Sequence, residues 1–442
     1  MFYFIFFLLL MGTIIHTNKN QFWGFLYLLM SSFLYFLKCF GSDLNNSVGH
    51  YYPFSLDFLS FFMVHVSFFI MVASMISGYS HVNSNLSFFM VINISIFLIL
   101  ILFFSVFNVL LFFLFFEMVL VPMLLLISKW GAQSERIIAN YYMFMYTVVG
   151  SIPLLLFSLY CMKVYLGYYS FFFRGELGFY IPNLVGLLLI MGFLCKLPIY
   201  SLHSWLPKAH VEAPVGGSMI LAGLLLKMGG YGLVRFFSLT SFSYGAVFLM
   251  LLIIVVIGML IPVLLCSRMV DIKSFIAFSS ISHMCIAVVG LMVFGMYGLV
   301  GCLVLFIGHG IISPMMFFSA NMLYEKLKSR SMMGVMGSDN LSVMFMWIFL
   351  VVILVNMGMP PFFNFFGELA CYAGIFSYGY SLGIMLLLTM VFTGAVMFYF
   401  VSKVMKGGFS GMILGEFNSR EYMNLMFMFN LVVYYTLMLP VF

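Results

Sequence analysis

Four ionisable side chains lie deep inside otherwise apolar stretches of this 442-residue chain: Glu117, Lys196, Lys227 and Glu368. Each costs about 2.5 to 3.5 kcal/mol in lipid on insertion scales, so the four cost about 10 to 14 kcal/mol that leucines would not. Ionisable groups at that depth mark ion and proton paths. Amines and carboxylates suit such a path. Removing water favours a neutral amine, whereas a nearby carboxylate favours the ammonium, so their separation decides whether a proton is held or released. At 4 Å and an effective dielectric of about 20 the pair is worth about 4 kcal/mol. Four histidines, His203, His210, His283 and His309, lie in or beside the same stretches. Imidazole titrates near neutrality and passes a proton either way. The plain alternative for all eight is structural: ion pairs that hold helices together, and core histidines with satisfied nitrogens.

The elements that carry these residues follow from composition. The chain is 65% hydrophobic and 7% charged, against about 25% charged in a soluble domain, so its solvent is lipid. At about 20 residues per spanning helix, the apolar inventory supplies roughly fourteen spans. The stretches fall at 1–15, 22–37, 54–78, 87–105, 108–128, 137–161, 183–207, 217–236, 244–266, 274–294, 297–323, 341–376, 378–402 and 423–442. With these boundaries, twelve of the 18 Lys and Arg fall in odd-numbered loops and four in even-numbered ones, the alternation expected of a multi-pass protein. Both termini then lie on the side away from the basic loops. The net charge of +6 is scattered over short loops, which excludes a nucleic-acid surface.

Other chemistry is poorly represented. The seven cysteines are single, with no C-x-x-C spacing to hold zinc or an iron–sulfur cluster. Gly229-Gly230-Tyr231-Gly232 lies within an apolar run, not between a strand and a helix, so it is not a nucleotide loop. No metal or cofactor is expected on the chain. Its 57 Phe and 40 Met, with no Arg/Ser-rich leader, fit a protein made inside the organelle that uses it. Asp57 and His65, in the third stretch, have no role in this reading.

Two charged residues stand beside helix breaks. Pro198 follows Lys196 by two positions, and Asn356-Met357-Gly358-Met359-Pro360-Pro361 interrupts the twelfth stretch before Glu368. Proline removes an amide donor and clashes with the preceding turn, and irregular backbone at that depth survives only where it lines a cavity. Breaks in spans seven and twelve, five apart, are what an inverted repeat produces, with spans four to eight matching nine to thirteen. The fold expected is therefore an all-α polytopic membrane protein of about 14 helices with two inverted five-helix repeats. Residues 1–86 would form helices 1–3, 87–236 and 237–402 the two half-channel repeats, and 403–442 the last loop and helix.

The run from Lys196 to Pro214, Lys-Leu-Pro-Ile-Tyr-Ser-Leu-His-Ser-Trp-Leu-Pro-Lys-Ala-His-Val-Glu-Ala-Pro, resembles the signature of the antiporter-like subunits of respiratory complex I. The resemblance continues through Gly217-Ser218-Met219, Leu226 to Gly232 and Asp271 to Met284, and spans the fourth to thirteenth stretches. Among the three homologous subunits, Glu368 distinguishes the one that carries Glu where the others carry Lys. Phe278 departs from the Tyr common in the family.

The resemblance implies a proton-translocating subunit of NADH:ubiquinone reductase with no redox chemistry of its own. NADH, FMN, iron–sulfur clusters and ubiquinone would belong to other subunits. Partners would be those subunits, especially antiporter-like subunits 2 and 5, and the lipid bilayer, including cardiolipin. The location implied is the mitochondrial inner membrane, with basic odd-numbered loops in the matrix and both termini in the intermembrane space. Glu117 would pair with Lys196, Lys227 would be the central relay and Glu368 would end the path, with His203, His210, His283 and His309 in support. A multisubunit cation/proton antiporter, and a purely structural subunit, are the competing readings.

Overall fold

Without water to receive them, backbone amides and carbonyls in lipid must bond within their own segment, which makes each long apolar stretch a helix. A computed structural model describes residues 57–79, 85–164, 183–237, 246–293, 295–337, 342–405 and 417–439. The stretches expected at 1–15 and 22–37 lie outside the described residues, as do Lys19, Lys38, Cys39 and Arg174. The later stretches all appear as helices.

In chain order these are α1 (Phe58–Gly78), α2 (Leu86–Ser105), α3 (Val109–Trp130), α4 (Arg136–Val164), α5 (Asn183–Lys196) and α6 (Trp205–Glu212). They continue with α7 (Val215–Phe237), α8 (Ala246–Cys266), α9 (Ile272–Met292) and α10 (Met296–Leu327). The last four are α11 (Val343–Asn356), α12 (Phe363–Tyr378), α13 (Tyr380–Met405) and α14 (Ser419–Leu437). Helices α5 and α6 are the halves of one broken span, and α11 and α12 of another. The described residues therefore hold twelve spans, the third to the fourteenth, and nine helices are each long and apolar enough to cross a membrane alone. The protein is an all-α polytopic bundle.

Local sequence sets the ends. The Asp57 amide donates to Ser60 Oγ at 2.6 Å at the start of α1, Asn108 Oδ1 accepts from the Leu110 amide at 2.9 Å to open α3, and the Asn418 amide donates to Glu421 Oε2 at 3.0 Å to open α14. Inside the helices, hydroxyls are satisfied by their own backbone: Ser67 donates to Val64 O and Ser313 to His309 O, both at 2.7 Å. Polar residues thus enter the bundle without exposing a donor to lipid.

Helices α7, α9 and α10 are almost wholly enclosed, while α4 and α13 turn most of their surface outward. Helix α10 packs against α12, α9, α7, α14 and α1, so it is the axis of the bundle. Close approach there needs small residues. A Cβ on Gly232 would stand 2.3 Å from the Phe193 ring and one on Gly230 2.4 Å from the Phe306 ring, which makes the glycine run of α7 a packing surface. Cys195, Cys266, Cys285, Cys302 and Cys371 are buried single thiols among these contacts.

Candidate functional site

Both expected breaks are present, and each is built around one of the charged residues. Helix α5 ends at Lys196, the chain is irregular through Ser204, and the Trp205 indole closes the gap by donating to Cys195 O at 2.9 Å. Lys196 is buried, and its Nζ lies 3.7 Å from Glu117 Oε1 of α3 and 3.2 Å from the centre of the Phe116 ring. It also donates to the Phe116 carbonyl. The expected Glu117–Lys196 pair therefore exists, and Phe116 supports it through both ring and backbone.

Lys227 has different surroundings. Helix α7 is α-helical over Val215–Ile220, widens to a π turn over Leu221–Leu225 and is α-helical again from Leu226. In the wide turn the Leu226 amide reaches Leu221 O, and the Ala222 carbonyl accepts from Lys227 Nζ at 2.7 Å. The same Nζ lies 2.8 Å from His309 Nδ1 of α10. Two arrangements satisfy that contact: an ammonium donating to bare Nδ1, or an amine accepting from protonated Nδ1. They differ only in the position of one proton.

The line continues. The His309 and His283 ring centres are 5.8 Å apart, and His283 Nδ1 is 3.0 Å from Glu368 Oε1 at ion-pair distance. Glu368 lies on α12, just past the break at 357–362, with its carboxylate against Gly358. Gly358 has φ +70°, and a Cβ there would stand 2.8 Å from Glu368 Oε2, so glycine serves both the turn and the carboxylate. Asn356 Nδ2 and both side-chain atoms of Asn364 flank the break, buried and without a hydrogen-bond partner. Buried amides without partners are rare in a packed core.

The remaining histidines divide. His210 is fully buried, its ring stacked on Phe317 at 4.4 Å with both nitrogens unpartnered. His203 lies inside the first break, bonded through Nδ1 to Tyr200 O and edge-on to Phe278 at 5.8 Å. Its contacts are with Tyr200 and Phe278 and not with Lys196 or Lys227, so it stands beside the line of charged groups.

Sequence reasoning missed several contacts. Asp57 Oδ2 lies 2.6 Å from Arg235 Nη1, tying the start of α1 to the end of α7. Arg235 had the appearance of a loop charge, yet it is largely enclosed. His65 Nδ1 is 2.6 Å from the Tyr435 hydroxyl, tying α1 to α14. Lys273, also counted as a loop charge, is folded inward, with Nζ 3.4 Å from Val211 O and 3.3 Å from Ala213 O.

Residues 106–393 match the family described as NADH:quinone oxidoreductase/Mrp antiporter, transmembrane part. The NADH-ubiquinone oxidoreductase chain 4 of Rhipicephalus sanguineus is 37% identical over 86% of both chains. The chain belongs to the NADH-ubiquinone oxidoreductase chain 4 family. Chain 4 of Aedes aegypti is 38% identical over 92% of both chains, and that of Locusta migratoria 39% over 84% of this chain and 82% of its own. Among solved structures, a chain of the Thermus thermophilus respiratory complex I with bound NADH superposes with TM-score 0.78 at 21% identity, covering 88% of this chain and 83% of that one. A chain of an archaeal membrane-bound sulfane sulfur reductase gives 0.81 at 17%, covering 99% and 92%. At those identities the likeness is one of fold, shared across membrane complexes. In chain 4 terms, Glu117, Lys196, Lys227, His283, His309 and Glu368 all lie within the matched segment.

Proposed function

We propose that this chain is a proton-translocating membrane-arm subunit of NADH:ubiquinone oxidoreductase, with its path running through Glu117, Lys196, Lys227, His309, His283 and Glu368. The observation that carries the reading is the line from Lys227 to Glu368, in which an amine, two imidazoles and a carboxylate follow one another inside an enclosed core, with Nζ 2.8 Å from His309, ring centres 5.8 Å apart and His283 Nδ1 at ion-pair distance, 3.0 Å, from the carboxylate. Water fills the longer step, and His203 and His210 supply side access. Helices α2–α7 and α8–α13 act as two half-channel repeats, 87–236 and 237–402, each carrying one break. Residues 1–86 and 403–442 flank them.

Electrons never reach this chain. NADH, FMN, iron–sulfur clusters and ubiquinone act on other subunits, and antiporter-like subunits 2 and 5 are its neighbours in a bilayer that contains cardiolipin. The membrane is the mitochondrial inner one, with odd-numbered loops in the matrix. Separation of Glu117 from Lys196 removes the favourable pairing of about 4 kcal/mol, enough to change which group holds the proton.

The test is Lys227→Ala in the assembled complex. Proton pumping coupled to NADH oxidation should fall to the leak level while assembly is retained, because no packing helix is broken. An unchanged proton-to-electron ratio would sink the relay. The family description also covers Mrp antiporters, so a second reading, cation/proton exchange, predicts sodium or potassium movement without NADH oxidation.

A further inference from the structure

On the side of the odd-numbered loops, four segments meet at the end of α6. The Ala132 amide after α3 donates to Glu212 O at 3.1 Å, and the Lys273 ammonium at the start of α9 donates to the carbonyls on either side of Glu212. Arg330, after α10, reaches Asp271 at 3.8 Å, and the Ile272 amide donates to Arg330 O at 3.1 Å, which fixes the loop above Lys273. Glu212 is itself buried, and its Oε2 has no hydrogen-bond partner. A carboxylate enclosed with an open acceptor is costly unless a proton or water visits it.

The charged groups that act on Glu212 are Arg330, Glu135 and Lys273. Lys273 also acts on His210, and His210 is within the field of Lys227. His210 is the second orphan of this region, with both ring nitrogens enclosed and unpartnered. His210 and Glu212 lie two residues apart on α6, and Lys273 is held against the carbonyls on either side of Glu212. Lys273 has a structural role on the two carbonyls, whereas Glu212 Oε2 and both His210 nitrogens are satisfied by no packing contact.

We propose that Glu212 and Lys273 form the port through which protons enter the Lys227 relay from the odd-loop side, with His210 as the next acceptor. The inference rests on the relay reading of Lys227. Glu212 takes a proton from bulk water, an O–H bond forming on Oε2. The Lys273 ammonium gives a proton to one nitrogen of His210, an N–H bond breaking on Nζ and forming on the ring, and the amine it leaves is recharged through water by Glu212 as the O–H bond on Oε2 breaks. His210 releases a proton from its other nitrogen towards Lys227 and His309. Glu212 and Lys273 return to their starting states, His210 does so once its N–H shifts back through water from the first nitrogen to the other, and no bonds other than O–H and N–H are made or broken. Glu212–Lys273 thus repeats, at the surface, the acid and amine pairing of Glu117 and Lys196 within the bundle.

The experiment uses the whole complex in proteoliposomes, with NADH-driven proton uptake measured for Glu212→Gln, Glu212→Asp and His210→Phe. Gln keeps the shape and removes the titrating group, so uptake should slow by on the order of tenfold, with Asp recovering most of it. Formate or azide supplied on the odd-loop side should restore the Gln variant, a response that a packing residue would not give. Phe preserves the stack on Phe317, so a slow His210→Phe complex that assembles normally supports the port even where the Glu212 variants assemble poorly. Wild-type uptake in Glu212→Gln or His210→Phe, or a loss that neither Asp nor the small acids relieve, overturns the port. Lys227→Ala separates the two levels: if it abolishes pumping while Glu212→Gln does not slow it, only the port fails, and if it leaves pumping intact, the relay itself fails.

Discussion

The two enclosed lysines solve the same problem by opposite means. Lys196 has a carboxylate 3.7 Å away, an aromatic face at 3.2 Å and a carbonyl, so its charge is compensated where it stands. Lys227 has a carbonyl at 2.7 Å and an imidazole at 2.8 Å, with its carboxylate two imidazoles away at Glu368. A lysine with its own counter-charge holds a proton, whereas one facing imidazoles shares it. On the proposed reading, Lys196 is therefore the site that stores a charge until its pair opens, and Lys227 the start of a line that conducts.

That contrast can be broken from either end. The largest effect after Lys227→Ala is expected at Glu368, where Glu368→Gln should stop proton uptake and Glu368→Asp should slow it only several-fold, because Asp keeps an ionisable carboxyl. NADH-driven proton uptake in the two variants checks the order, and Gln proving milder than Asp would make Glu368 a packing residue. A smaller effect belongs to the stored charge: Glu117→Gln should cut coupled turnover several-fold, while Glu135→Gln, exposed in the loop after α3, should leave it near wild type. Equal effects from the two would mean that burial of the pair is irrelevant. The smallest is Phe116→Leu, which removes the ring beneath Lys196 but leaves its backbone carbonyl. It should cost about 0.5 to 2 kcal/mol of cation–π stabilisation and show as a modest change in turnover, with assembly unaltered.

The sequence reveals the spans, both breaks and the four charged residues, because each violates an otherwise uniform apolar pattern. It also supplies the histidines as a set, but not their order. His203 and His210 both follow Lys196 closely in sequence, yet neither is its partner, and the pairing of His309 with Lys227 spans 82 residues. Long-range pairs of this kind leave no local signature. Asp57 and Arg235, 178 residues apart, look like an unexplained acid and a loop charge until they are seen at 2.6 Å. The π turn is invisible for a related reason: Leu221-Ala222-Gly223-Leu224-Leu225 has the composition of any buried helix, and only neighbours in three dimensions make it wide. Lys273 misled by its position, since a lysine beside a loop is ordinarily solvated, and here it satisfies two carbonyls of another segment.

The wide turn in α7 also has a genetic consequence. A π turn accommodates an additional residue in an α-helix, and each residue turns the helix by about 100°. Loss of a single codon between those for Ile220 and Leu226 would close the turn and keep Lys227 on its present face, whereas a substitution there that favoured the regular α form without losing a residue would swing it by roughly that angle relative to the preceding segment. The hydropathy profile, the reading frame and every charged residue would be preserved. Such an allele would carry all the parts of the pump and have its central amine facing the wrong neighbour, a lesion legible in geometry and silent in composition.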